Sequence, residues 1–219
     1  MKHFKIIFII IASPSDFYNK NKMVLNKFMN KNKNIKSFFI YGNVDKSKVF
    51  KTKNDLYFNC PENLRPGVLI KTIKAFEYIK KKFTFDYVVR TNLSTFWNIK
   101  LLLHKINDFP NKKCLAGQLT RSGYFWGTGI IMSKDLINIL IKDKNKLNYE
   151  LPDDVTLCKY LHNNYNVNYI NEKRCDTFTK FIPRNKKLIP KHFTSYRLKT
   201  PKNRHLDGLK MFLLWKYFY

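Results

Sequence analysis

The sequence predicts an α/β fold, a single domain with a mostly parallel central sheet flanked by helices. Three observations carry this. Apolar runs of strand length alternate with segments of helical period along most of the chain. The strand-like runs (KIIFIIIA, IKSFFIY, FDYVVR) are nearly continuously apolar, as strands covered by helices on both faces are. No internal repeat interrupts the pattern, and 219 residues with 44% apolar content suffice for one buried core.

Taken in order, Phe4 to Ala12 reads as the first strand, stopped by Ser13-Pro14. Its basic start and the small residues after it also fit a short signal peptide. The β-branched run favours the strand, and the sequon Asn92-Leu93-Ser94 falls at a strand end, an awkward place for a glycan. Asp16 to Asn30 is a polar-faced helix, and Ile35 to Tyr41 a second strand closed by Gly42-Asn43. Segment 44–60 is irregular, with room for a short strand. Leu64, Val68, Thr72, Ala75, Phe76 and Ile79 recur at helical spacing and predict a helix over about 64–82. Phe85 to Arg90 is a buried strand, Trp97 to Ile106 a helix ended by Asp108-Phe109-Pro110, and Cys114 to Leu119 another strand. Gly123 to Met132 sets three glycines among aromatics, after which Ser133 caps a helix to about 143. Leu151-Pro152-Asp153-Asp154 opens a further helix with Pro near its first turn. Val167 to Ile170 is a short strand, and 183–204 is basic and irregular. The last segment, HLDGLKMFLLWKYFY, is apolar on every face: a buried closing helix, or an aromatic patch for a membrane surface or a protein partner.

Composition narrows the function classes. Forty-two Lys and Arg against 15 Asp and Glu give a formal charge of +27, which favours anionic ligands such as nucleoside diphosphates, nucleic acid or anionic lipid. Part of it reflects a Lys and Asn bias typical of AT-rich genomes, those of low-GC bacteria and many large DNA viruses among them. A disordered basic tail is excluded by 16% aromatic residues. Cys60, Cys114, Cys158 and Cys175 form no CxxC pair, which argues against a zinc ribbon and for reduced, packed thiols in a cytoplasmic protein (a host cytoplasm if the source is viral). No run reaches the ~18 apolar residues a membrane span needs. Nucleic-acid binding is disfavoured because Lys is spread over the whole chain and most aromatics sit inside apolar runs.

Ligands of open α/β sheets bind beyond the carboxyl ends of the strands. Ser13-Pro14-Ser15, Arg90 to Thr95 and Trp126 to Gly129 fall there, and no phosphate-loop or dinucleotide glycine pattern follows the first strand. Asp153-Asp154 at a helix start is either ordinary N-terminal capping or a carboxylate placed to take a proton from a hydroxyl. Arg90-Thr91-Asn92-Leu93-Ser94 presents a cation and small polar groups, or a strand end with local hydrogen bonds. Tyr124-Phe125-Trp126-Gly127-Thr128-Gly129 is an ordinary turn, or a place where backbone and aromatic faces meet a sugar or base.

In their order, Asn63-Leu64 and Lys71-Thr72, the Asp86-to-Trp97 segment, Trp126-Gly127-Thr128-Gly129 through Ser133-Lys134-Asp135-Leu136, and Pro152-Asp153-Asp154-Val155 resemble the fringe and β-1,3-galactosyltransferase group. The likeness covers about residues 60–160. It implies an inverting, nucleotide-sugar-dependent glycosyltransferase (a hexosyltransferase) of the GT-A fold, a Rossmann-like single domain over 1–219 with 183–219 as a basic, aromatic C-terminal tail. By the same resemblance Asp154 is the base, and Asp153 orients the site or touches the donor sugar. The strand-end acidic triplet that holds the metal on the diphosphate falls on Asn92-Leu93-Ser94, where no carboxylate stands.

Neutral Asn and Ser oxygens are weak ligands for Mg²⁺ or Mn²⁺. Three outcomes follow: a metal-independent enzyme, favoured here, a weak metal held through substrate phosphates with Asn92, Ser94 and His192 as the candidate ligands, or a catalytically dead sugar- or nucleotide-binding protein. Lys71, Arg90, Arg121 and the stretch from Lys191 through His192 to Arg197 supply cations that can stabilise a leaving diphosphate. The expected donor, a UDP-sugar, meets Ser13, Pro14, Lys71, Arg90, Thr91, Asn92, Ser94, Trp126, Gly127, His192 and Arg197, and a glycan hydroxyl enters on the Trp126–Asp154 side.

Overall fold

The computed structural model describes residues 1–179, 182 and 185–219. In chain order the elements are β1 (His3–Ile11), α1 (Asp16–Phe28), β2 (Ile35–Tyr41), β3 (Asp55–Tyr57), α2 (Gly67–Lys82), β4 (Thr84–Asn92), β5 (Thr95–Trp97) and α3 (Ile99–Lys105). They continue with β6 (Cys114–Leu119), β7 (Phe125–Ser133), α4 (Lys134–Lys142), α5 (Asp153–Asn164), β8 (Asn168–Asn171), β9 (Ser195–Arg197) and α6 (His205–Phe218).

Seven strands make one sheet in the order β3-β2-β1-β4-β7-β6-β8. β3, β2, β1 and β4 pair in parallel, β7 runs antiparallel to both β4 and β6, and β8 is parallel to β6. The central strands are continuously apolar because each face of the sheet has its own helical cover. Ile6, Phe8 and Ile10 of β1 join Leu25 and Phe28 of α1, Leu102 of α3, and Met211 and Leu214 of α6 in one core. The intervening Ile7 and Ile9 join Ile73, Phe76 and Ile79 of α2, Leu136 of α4 and Leu157 of α5 in the other. Each such side chain contributes about 1.5–3 kcal/mol when fully buried, so a polar residue in β1 would be costly on either face. The apolar N-terminal run is thus the second most central strand of the sheet, in register with both neighbours (Ile6 with Ile35 and with Tyr87).

Three local expectations change. Trp97 does not begin a helix: Thr95–Trp97 is extended and pairs antiparallel with Ser195–Arg197, and α3 starts two residues later, where Asn98 Oδ1 accepts the Leu101 N–H at 3.2 Å. A distant strand has overridden the local helical period. Gly123 to Met132 is chiefly the antiparallel strand β7, with Gly127 and Gly129 inside it. Gly129 is required there because an added Cβ would lie 2.7 Å from the Trp97 ring. Ser133 holds the N-cap position of α4 as expected, but its side chain caps no helix N–H; the hydroxyl accepts from Cys114 N–H at 3.0 Å and donates to Asp135 at 2.6 Å.

The C-terminal stretch is woven into the domain. Within 183–204, positions 183 and 184 lie outside the described residues; of the remainder, Ser195–Arg197 is the strand β9. α6 packs on α1, Tyr219 stacks on Phe28 with ring centroids 4.6 Å apart, and its hydroxyl donates to Trp97 O. One side of α6 is a closing helix in the core, while Leu209 and Phe212 remain exposed. Among the described residues no helix is long and apolar enough to cross a membrane, and the four cysteines are buried free thiols.

Candidate functional site

The sheet has a switch point between β1 and β4. The chain leaves β1 toward α1 on one face and reaches β4 from α2 on the other, so a cleft opens beyond their carboxyl ends. β7, being antiparallel, brings its first residues to the same edge: Thr91 is opposite Gly129. Two adjoining cavities of about 360 and 380 Å³ line the cleft and share Leu64, Asn92, Arg197 and Lys199. The first also includes Ser13, Tyr18, Glu62, Lys71 and Ser94. The second includes Arg90, Tyr124, Trp126, Gly127, Asp153 and Asp154.

The tandem acids of α5 have different environments. Asp153 is 2% exposed and takes a bidentate pair from Arg90, Nε to Oδ2 at 2.7 Å and Nη2 to Oδ1 at 2.6 Å. Burial pushes its carboxyl upward and the guanidinium pulls it back. Asp153 therefore does not cap the helix; it locks α5 to β4. Asp154 lines the cleft without a cation partner among the described residues. Its Oδ2 accepts the Gly127 N–H at 2.8 Å and its Oδ1 accepts the Val155 N–H at 3.0 Å.

Gly127 joins the two: its carbonyl accepts from Arg90 Nη1 while its N–H donates to Asp154. A Cβ at 127 would stand 2.6 Å from both Arg90 Nη1 and Asp154 Oδ2, so this double approach requires glycine. Next to it Trp126 is 46% exposed, with the Arg174 guanidinium 5.4 Å from its ring centroid.

On the other side of the cleft, Asn92 Oδ1 accepts from Ser94 N–H at 3.0 Å and from Thr95 Oγ1 at 3.3 Å. Ser94 Oγ accepts from Arg204 Nη2 at 2.9 Å. Arg204 in turn donates to the buried Asp207 at 2.6 Å and lies over Phe17 and Tyr18. Arg197 projects from β9, and its buried Nη1 has no hydrogen-bond partner among the described residues. Burial, with Arg174 and Arg204 nearby, pushes its guanidinium down to about 10.

Several expected donor contacts are differently placed. Lys71 is fully buried, donating to Glu62 Oε1 at 2.5 Å and to Ala12 O at 3.1 Å; it lines the cavity with its charge already balanced. Arg90 is likewise committed to Asp153. Thr91 spends its hydroxyl inside the sheet, donating to Thr128 O and accepting from Trp97 Nε1. Ser13 lines the cleft and Pro14 does not. His192 lies in a separate cavity with Lys105, Glu172 and Phe193, so it does not meet Asn92 or Ser94. Arg121 is exposed in the turn before β7, outside both cleft linings.

The divalent ion that the strand-end position would hold in this fold does not suit the residues present. The Asn92 oxygen is occupied by two local donors, the Ser94 oxygen faces a guanidinium, and no group of three His, Cys, Asp or Glu gathers anywhere among the described residues. Tyr18, Arg174, Lys199 and Arg204 have no mark in the sequence, and Leu64, part of the Asn63-Leu64 element, is not expected from it to line the site. Lys199 and Arg204 sit in a basic run that looks like any other in this chain, and strand pairing alone reveals which of its members reach the cleft.

No protein-family model matches the sequence, and no match was found among curated proteins. The fold is similar to that of solved structures. One is a glycosyltransferase involved in the glycosylation of the major capsid of PBCV-1, with a TM-score of 0.58 at 12% identity over 95% of this chain and 99% of that one. Another is a candidate nucleotide-diphospho-sugar transferase from Desulfovibrio desulfuricans G20, with a TM-score of 0.49 at 11% identity over 78% of this chain and 80% of that one. The likeness to the first is one of fold: a single α/β domain with a mostly parallel, GT-A-like sheet.

Proposed function

We propose that the protein is a glycosyltransferase that moves a hexose from a nucleoside-diphosphate sugar, a UDP-sugar, to a hydroxyl of a glycan acceptor with inversion, on the plan of the fringe and β-1,3-galactosyltransferase group. The observation that carries it is Asp154: a carboxylate lining the switch-point cleft, held by two backbone N–H groups and paired with no cation among the described residues, in the same cavity lining as Arg197 and Lys199. The full-length fold likeness to a capsid glycosyltransferase supports the same class.

The chemistry follows from that arrangement. The donor lies across the carboxyl edge of β1 and β4, its base toward Ser13 and Tyr18 and its diphosphate toward Arg197 and Lys199. The acceptor hydroxyl enters beside Trp126, gives its proton to Asp154, and its oxygen attacks the anomeric carbon from the face opposite the diphosphate. The bond to the diphosphate breaks as the new one forms, so one base and one displacement invert the centre. Arg90 and Asp153 touch neither substrate; they hold Gly127, and through it Asp154, in place.

The test is calorimetric binding of UDP and of a panel of UDP-sugars, followed by product analysis by NMR. The expected result is UDP binding and a product of inverted anomeric configuration. A retained configuration overturns the single-displacement mechanism. Failure to bind any nucleotide overturns the transferase assignment itself.

A further inference from the structure

The positive charge of the cleft is not evenly compensated. Of the cations lining it, Lys71 has Glu62 and Arg90 has Asp153, while Arg197 and Lys199 have no carboxylate partner among the described residues. Lys199 is exposed and solvated. Arg197 is not: a buried guanidinium nitrogen without an acceptor forfeits its hydration and gains nothing in return, a cost that native structures avoid unless something else supplies the acceptor.

Its position is also rigid. Arg197 pairs with Thr95, its N–H donates to Cys175 O at 2.8 Å, and the next residue's N–H donates to Ser94 O at 2.9 Å. That stitching delivers the side chain beside the 92–94 turn. Arg204 closes the same turn from the side, with its guanidinium on Ser94.

We infer that Arg197 replaces the divalent ion as the counter-charge of the donor's diphosphate, with Arg204 on Ser94 shutting a metal out of the strand-end position, so that the protein holds its nucleotide without metal. The inference rests on the transferase assignment above and names the ligand chemistry of that site. A planar guanidinium with free N–H groups matches two phosphate oxygens at once, which a solvated lysine does not. The orphaned nitrogen is then the half of a hydrogen bond that the diphosphate completes.

The experiment is UDP titration of the full chain by calorimetry in EDTA and in Mn²⁺, with uridine as the phosphate-free probe. Wild-type protein is expected to bind UDP with the same affinity, within about two-fold, in either buffer. Arg197→Met is expected to weaken UDP by at least 30-fold in both buffers while uridine binding stays within two-fold. Its thermal midpoint should hold or rise, since the substitution removes a desolvated charge that pairs with nothing, so loss of folding would not account for the lost affinity. Arg204→Lys keeps a cation for Asp207 and should cost 3- to 10-fold. Ser94→Asp should pair with Arg204 and create no Mn²⁺ dependence. A tenfold gain of UDP affinity with Mn²⁺ in the wild type, or wild-type UDP affinity in Arg197→Met, overturns the inference while leaving the transferase assignment standing. Absence of UDP binding in every condition overturns both.

Discussion

The two sides of the cleft are built on opposite principles. On the Asp154 side the supporting groups are matched within the protein: Arg90 is paired with Asp153, and Gly127 accepts from Arg90 with its carbonyl and donates its N–H to Asp154. On the Arg197 side the backbone is equally well tied, but among the described residues a buried guanidinium nitrogen is left without an acceptor and Lys199 without a carboxylate partner. On the proposed reading Asp154 is a base, and a base has to be aimed before the substrate arrives, which its supports from Gly127 and Val155 accomplish. On the same reading, a diphosphate would bring its own negative charge to the side where that charge is lacking.

The largest effect that would sharpen this contrast is on Asp154. Asp154→Asn should cut transfer by about 10³-fold, within the range typical of a general base, while leaving UDP affinity within two-fold. Turnover close to wild type would remove Asp154 from the mechanism, and lost UDP affinity would place it on the donor side instead. Next comes Asp153→Ala, which strands Arg90 in the core. Breaking a buried pair by removing one member costs about 3–5 kcal/mol, to be read from the midpoint of chemical denaturation. A loss below about 1 kcal/mol would mean that Arg90 finds water, and that this side is less closed than its hydrogen bonds imply.

Gly127→Ala should act on both acids together. A Cβ 2.6 Å from Arg90 Nη1 and from Asp154 Oδ2 must push one of them aside, and displacement of a catalytic group on the order of 1 Å costs about 10²-fold in rate. The expected signature is a fall in kcat with a small change in nucleotide affinity. The smallest effect belongs to Trp126→Ala, which removes an exposed ring without disturbing the Arg90–Asp153 pair. Loss of an aromatic face for a sugar should raise the acceptor KM by about 2- to 10-fold and spare UDP binding. An unchanged acceptor KM would move the acceptor away from this edge.

Much of this was legible in the sequence because it depends on local chemistry. Continuous β-branched apolar runs of strand length suit strands covered on both faces, which is why β1, β2, β4 and the α/β class could be read from residues 4–12, 35–41 and 85–90. The acid pair at the start of α5 stood out because acids are scarce in so basic a chain, and the glycines of β7 because glycine among aromatics lets backbone approach closely. What the chain order could not say is how these elements share out their charges. Which of two adjacent acids is buried on an arginine 63 positions away is a matter of helix orientation against β4. His192 and Arg197 lie in one basic stretch, yet strand pairing with residues 95–97 carries Arg197 into the cleft and leaves His192 in a separate cavity.

The sequence by itself thus determined the layers and the inventory of reactive groups, because burial and turn formation act on each residue where it stands. Only the tertiary structure decided which carboxylate lies on an arginine and which lines the cleft, and which arginine has no carboxylate partner among the described residues. Ion pairing and desolvation depend on distances between residues far apart in the chain, and no local pattern encodes those distances.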